Sequence, residues 1–165
     1  MAPSWFWRNW MEDFEDRAGE YITPYNPEVQ QATESIGICE PCGNRKNALK
    51  IWNYVFNNVE YQLSETWFTP AETLKNGKGD CEDVTFLVGS MLLAAGIEDT
   101  EIVVGYLHHG DGRKEEHTWN RVGDMVIDAT GTPQVVRDLG YKEVKSWRLE
   151  IEGEQDAPRQ NTQST

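Results

Sequence analysis

The reading of the fold turns on one stretch: Gly77-Lys78-Gly79-Asp80-Cys81-Glu82-Asp83, then Val84-Thr85-Phe86-Leu87-Val88-Gly89-Ser90-Met91-Leu92-Leu93-Ala94-Ala95, closed by Gly96. Asn76 to Gly79 breaks any regular element. Asp80 then supplies an N-cap for an apolar helix running from Cys81 to about Ala95. Cys81 thus sits at the first helical position, where backbone N–H groups lack partners and the helix dipole is positive. That setting favours a thiolate, and the same N–H groups can hold a developing oxyanion. Asp80, Glu82 and Asp83 oppose it. The dipole contributes roughly 0.3–1 kcal/mol, rising to about 2 when partly buried. One adjacent carboxylate costs on the order of 1 kcal/mol or more. The helix end alone therefore does not activate the thiol, and a cation beside it is required. The plain alternative for Cys81 is a small buried hydrophobe.

Downstream of the helix, strand signals dominate: Ile102 to Leu107, His117 to Val122, Met125 to Ala129 and Val144 to Leu149. Helices first and an antiparallel sheet after them predict an α+β domain. Gly123-Asp124 between two strand runs is a two-residue hairpin signal. With that loop, Val122 pairs with Met125 and Trp119 faces Asp128. His117 then lies diagonal to Asp128 on the same face, about 7–8 Å away between backbones. A loop one residue longer would put them on opposite faces. In this geometry Asp128 orients His117 and stabilises its charged form, which pairs with the thiolate. The alternative for Asp128 is a strand-end residue bonding to the turn at Ala129-Thr130-Gly131. Asp124, at a loop tip, is the poorer candidate. His108 and His109 precede Gly110-Asp111-Gly112 and read as solvated loop residues.

Upstream, Ala48, Ile51, Trp52, Val55, Phe56 and Val59 form one helical stripe over Asn44 to Val59. Glu60 to Trp67 reads as an extended linker, and Pro70 opens a short helical segment over Ala71 to Leu74. Residues 1–43 form an aromatic-rich arm in which Trp5, Phe6, Trp10, Met11 and Phe14 recur at helical spacing, with Glu12, Asp13, Glu15 and Asp16 opposite. Pro24 and Pro27 are expected to interrupt any regular element there. The arm is either a helix capping the domain's own core or a docking segment for a protein partner. Cys39-Glu40-Pro41-Cys42 reads as a local disulfide or two plain loop thiols; half a zinc site lacks its second ligand pair, and a redox pair lacks a βαβ setting. Residues 44–151 form the domain proper, and 152–165 are expected to be a disordered tail.

A chain of 165 residues suits one domain with a real core. Its net charge of -13 argues against binding nucleic acid. No run approaches the ~18 apolar residues that span a bilayer, and Met1 to Trp10 lacks the aliphatic stretch of a signal peptide. The expected location is the cytoplasm or a virus particle. Three cysteines, an odd number, leave at least one free thiol.

Taken together, several segments resemble the transglutaminase-like superfamily, in the flavour of bacterial and phage cysteine proteinases. They are Trp67 to Leu74, Gly77 to Asp83 with its helix to Ile97, the Val103-Val104-Gly105-Tyr106 strand, His117-Thr118-Trp119 and Val126-Ile127-Asp128. The resemblance covers about residues 44 to 130. It implies a papain-like core with the nucleophile helix packed on an antiparallel sheet, and Cys81, His117 and Asp128 as nucleophile, base and orienting acid. An upstream residue often helps bind the oxyanion; Tyr61, Gln62 and Trp67 are candidates, with Gln62 or Trp67 favoured, and Trp119 is a further substrate-side candidate. No metal or cofactor is implied, and no calcium, because the extra domains of the cross-linking enzymes are absent. The chemistry implied is a thioester acyl-enzyme formed from a protein or peptide amide. Hydrolysis is the leading outcome; transfer to an amine, or a structural role such as a virion component retaining the fold, are the alternatives.

Overall fold

A computed structural model describes residues 4–130 and 140–151 of the chain. The expected tail from 152, Gly131 of the turn after Asp128 and the side chains of Trp5 and Phe6 lie outside the described parts.

Helix α1 (Ser4–Arg17) lays Phe14 into the core, 1% exposed, stacked on Phe86 and on Trp147 at ring separations of 5.8 and 5.4 Å. In its described side chains, then, the arm caps the domain. Helix α2 (Pro27–Ser35) is a departure from expectation, because Pro27 opens it instead of interrupting it. The reason is local: proline at the first helical position loses only an N–H that has no helical partner, and Asn26 Oδ1 accepts from the N–H groups of Glu28 and Val29.

Cys39 and Cys42 are joined in a disulfide around a short 3-10 turn, so neither thiol is free to ligate zinc. Helix α3 (Asn44–Asn58) follows and buries Ala48, Ile51, Trp52 and Val55 along the expected stripe. The linker after it is partly ordered: β1 (Glu60–Tyr61) runs parallel to β2 (Lys78–Gly79), placed on either side of α4 (Pro70–Asn76). Thr69 and Glu72 close a capping box on α4.

Helix α5 (Cys81–Ala94) is apolar all round and buried from Asp83 to Leu93, as a helix enclosed on several sides must be. It lies on a four-stranded antiparallel sheet of β3 (Thr100–His108), β4 (Lys114–Val122), β5 (Met125–Ile127) and β6 (Tyr141–Arg148), in the order β5-β4-β3-β6. Strand β6 begins earlier than its apolar signal, because Lys142 and Glu143 on this edge strand are solvent-facing. Close approach of α5 to the sheet needs Gly89, where a Cβ would sit 2.8 Å from Leu149 and 3.1 Å from Asn120. Side-chain alternation divides the sheet: Ile102 and Val104 join the α1–α5 cluster, whereas Val103, Trp119, Val126 and Tyr141 form a separate buried group. None of the described helices is long and apolar enough to cross a membrane.

Candidate active site

The site begins at the start of α5. Asp80 Oδ1 accepts from the Asp83 N–H at 3.2 Å, and Asp83 Oδ2 accepts from the Asp80 N–H at 3.0 Å, a reciprocal cap. The second Asp83 oxygen accepts from the Phe68 N–H at 2.8 Å, tying the segment before α4 to the same helix end. Gly79 is required here, since a Cβ would lie 2.7 Å from that of Asp83. Burial pushes the Asp83 carboxyl up to about 7, against its two N–H donors. Asp80 rises to about 6, by burial and by the charge of Glu82. Cys81 is held at the head of this cap, half-buried.

The second part is the β4–β5 hairpin. Val122 pairs with Met125, Arg121 with Val126 and Asn120 with Ile127. The next step of that register sets Trp119 opposite Asp128, so Gly123-Asp124 forms the two-residue loop that the sequence predicts. The diagonal contact is made: His117 Nε2 lies 2.9 Å from Asp128 Oδ2, both side chains 3% exposed. On β3 the partner of His117 is Gly105, where a Cβ would collide with the Lys142 carbonyl of β6. Asp128 also accepts from Tyr141 Oη at 2.7 Å, from Thr130 Oγ1 at 2.7 Å and from the Thr130 N–H at 3.1 Å. Its backbone carbonyl accepts from Trp52 Nε1 of α3 at 2.8 Å. The two readings of Asp128 thus coexist, because one oxygen serves the turn and the other the imidazole.

Burial raises a carboxyl's pKa, but the His117 charge and hydrogen bond, with Tyr141 and Thr130, outweigh it and hold Asp128 below its ordinary value. For His117, burial works to lower the pKa; Asp128 overcomes this, helped by Glu115 and Glu82, and the net shift is upward. The other ring nitrogen, Nδ1, is buried with no hydrogen-bond partner. Trp119 stacks against the imidazole with centroids 6.0 Å apart, and Tyr141 meets Trp119 edge-on at 4.9 Å.

The two parts meet at the sulfur. The Thr118 N–H, next along the chain from His117, reaches Cys81 Sγ and favours the thiolate. The thiol also donates to Glu82 Oε1 at 3.5 Å. Burial, then Glu82 and Asp80, push the Cys81 thiol well above its ordinary value despite Thr118. Tyr61 belongs to the same neighbourhood: its phenol is pushed up by burial and by the charges of Cys81, Glu115, Asp80 and Glu82.

Other expected positions fall differently. Gln62 has an exposed side chain, and its backbone N–H donates to the Gly79 carbonyl at 2.8 Å, so it braces the loop before Cys81. The Trp67 ring is engaged in packing, edge-on to Phe14, Tyr21 and Phe86, with the Arg17 guanidinium 4.7 Å above it. Trp119, 2% exposed, offers a substrate no free face and instead supports His117. Both rings pack against the protein's own aromatic side chains, where a large apolar ring gains from burial. His108 ends β3 and is exposed, but His109 is not simply solvated: it pairs with Glu115 at 2.7 Å. Asp124 stays at the surface beside Arg45, 3.2 Å away.

Asp83, Thr130 and Tyr141 were not legible as site residues. Asp80-x-x-Asp83 is a capping-box spacing that could have revealed the first, and Thr130 lies in the turn already suspected of binding Asp128. Tyr141 carries no local signal.

Comparison with known proteins agrees with this fold. No curated protein matches. Among solved structures, a provisionally named cysteine protease from Cytophaga hutchinsonii superposes with a TM-score of 0.58 at 22% identity, over 78% of this chain and 44% of that one. The chain therefore spans under half the length of that protein. LapG of Legionella pneumophila superposes with a TM-score of 0.58 at 15% identity, over 82% of this chain and 84% of its own. Its calcium-bound form gives 0.56 at 16% identity, over 92% and 98%. At these identities the likeness is one of fold. The family model for the transglutaminase-like superfamily matches residues 31–129, more than half of the chain, from within α2 to just past Asp128, and the chain belongs to that superfamily.

Proposed function

We propose that the chain is a cysteine peptidase or amidase, with Cys81 as nucleophile, His117 as general base and acid, and Asp128 as the group that orients His117. One observation carries this reading: Asp128 engages Nε2 and leaves Nδ1 buried and unpartnered, beside the backbone N–H that meets the sulfur. Nδ1 takes the thiol proton as Sγ attacks an amide carbonyl, and returns it to the leaving amine as the C–N bond breaks. Water, deprotonated by the same nitrogen, then releases the acid from the thioester. The N–H groups of Cys81 and Glu82, in the first turn of α5, have no helical acceptor and serve the oxyanion. The substrate class is protein or peptide.

Hydrolysis is the leading outcome of this chemistry, with transfer of the acyl group to an amine as the alternative. A non-catalytic role in an assembly draws on one observation, the upward push on the thiol by burial, Glu82 and Asp80. Alkylation by iodoacetamide, followed by peptide mass spectrometry, decides between them. Cys81 is expected to label faster than 2-mercaptoethanol at pH 8, and the His117→Ala variant to lose that advantage. Because neutral imidazole is the base and its pKa is raised, reactivity should climb at a pH above the ordinary histidine value of 6.5. Labelling no faster than the small thiol would support the assembly role. Ammonia release from a glutamine peptide, unchanged by added amine, would separate hydrolysis from transfer.

A further inference from the structure

Away from the site, several carboxylates of this acidic chain are paired with cations. Glu101 and Glu143 share Arg121, Glu15 pairs with Lys145, Asp111 with Arg113 and Asp124 with Arg45. At the sulfur, what matters is where an unpaired carboxylate lies. Glu82 Oε1 lies 3.5 Å from Cys81 Sγ, and no cationic side chain pairs with Glu82 among the described residues. Glu115 is near enough to act on both His117 and Tyr61, and among the described residues its ionic partner is His109. Asp80 adds a third carboxyl, buried by the cap. These groups make formation of a thiolate harder, so the free site carries a local electrostatic cost in the place where its chemistry would occur.

We propose that the site is selective for cationic peptides, with Glu82 and Glu115 receiving a lysine or arginine side chain next to the scissile carbonyl. This rests on the cysteine-hydrolase reading above. A reacting carbonyl carbon must come within about 3–3.5 Å of the sulfur, which brings the neighbouring side chain of the substrate within reach of Glu82. An ammonium or guanidinium there supplies the missing partner and offsets the repulsion that the carboxylate exerts on the thiolate. A glutamate at the same place adds a further like charge and is rejected. The two carboxylates thus act as specificity determinants, and the right substrate relieves the cost that the empty site bears.

The test uses two charged thiol reagents on the full chain, each scored by intact mass. Both react alike: the thiolate attacks the sulfenyl sulfur of a methanethiosulfonate, and methanesulfinate leaves. The trimethylammonium-ethyl reagent should modify Cys81 faster than the sulfonatoethyl reagent by about tenfold or more, once divided by their ratio on 2-mercaptoethanol. Glu82→Gln and Glu115→Gln should each lower that ratio, and the double variant should bring it to that of the small thiol. Because both reagents meet the same thiolate, the ratio is independent of any change in the thiol's own acidity. A second arm measures protection of Cys81 from iodoacetamide by N-acetylated, C-amidated tripeptides with lysine or glutamate at the centre. Lysine should protect and glutamate should not. A ratio equal to that of 2-mercaptoethanol, a ratio unmoved in the double variant, or equal protection by both peptides overturns the proposal. The two claims separate on His117→Ala, backed by His117→Gln with thermal unfolding as the check on folding. If neutral iodoacetamide labels these variants as fast as the parent, the hydrolase reading falls. If labelling depends on His117 but carries no charge preference, only the selectivity falls.

Discussion

Two ends of the site each bury a carboxyl group, and they treat it in opposite ways. At the start of α5, Asp83 is 0% exposed and is pushed up to about 7. At the end of the β4–β5 hairpin, Asp128 is 3% exposed and is held below the ordinary carboxylate value. Both are buried and both accept hydrogen bonds, two at Asp83 and four at Asp128, so burial does not separate them. The difference is the charge of the donors. Asp83 meets two neutral backbone N–H groups, whereas Asp128 meets an imidazole that can carry a proton, together with two hydroxyls. Neutral dipoles suffice to position a helix end. A buried charge that must stay ionised needs a counter-charge. The helix end is thus built as a scaffold and the hairpin end as an ion pair, and Cys81 stands between them.

The largest effect is expected from breaking the ion pair while keeping its shape. Asp128→Asn should lower turnover of a peptide or amide substrate by about 10⁴-fold, the loss in kcat seen when a triad carboxylate becomes an amide. The same variant should bring down the imidazole titration midpoint, followed by NMR, because the charge that overcomes desolvation is gone. A variant that kept parental turnover would show that the hairpin end positions nothing of consequence.

Tyr141→Phe should act more gently, removing one of the donors to Asp128 without its counter-charge. A hydrogen bond to a charged group contributes about 1.5–3 kcal/mol, measured here by denaturant unfolding. The pH dependence carries the sign. Asp128 is lowered in the folded state, so its stabilisation is present above the unfolded value of 3.8 and is lost as pH falls through the lower folded value. The Tyr141→Phe penalty should accordingly be full at neutral pH and shrink in strong acid. A penalty of equal size at both would mean that Tyr141 contributes packing alone.

The same comparison explains what was legible beforehand. Asp80, Cys81 and the helix behind them follow local rules of capping and periodicity, so their placement could be read along the chain. The His117–Asp128 contact depends on one hairpin whose loop length sets the register, and a two-residue signal was enough to place it. Tyr141 approaches from β6, which joins the sheet beside β3, and no local pattern links it to Asp128. Trp67 and Trp119 show the opposite difficulty. A tryptophan near a nucleophile serves equally as a ligand contact or as packing, and only the aromatic partners Phe14, Phe86 and Tyr141, distant in sequence, decide it. Pro27 cannot be placed from its residue type alone, because proline interrupts a helix from within yet starts one at its first position.

The smallest effect, and the sharpest contrast with Tyr141→Phe, is expected at Asp83. Replacing it by Asn keeps an acceptor for the Phe68 N–H but sets an amide NH₂ toward the Asp80 N–H, leaving one cap donor unpaired. An unsatisfied buried donor costs about 1–3 kcal/mol. For a carboxyl raised from 3.8 to about 7, the stabilisation is full below the unfolded value and is lost as pH rises through the folded one. By pH 8 the parent therefore holds an unfavourable buried charge that the amide lacks, and the two effects offset. The Asp83→Asn penalty should be largest near pH 4 and approach zero near pH 8, a trend opposite in direction to that at Tyr141. Parallel unfolding curves at the two pH values test it directly. If the penalty were constant or grew with pH, Asp83 would be an ionised carboxylate satisfied by its two N–H donors, and the distinction between scaffold and ion pair would fail at this end.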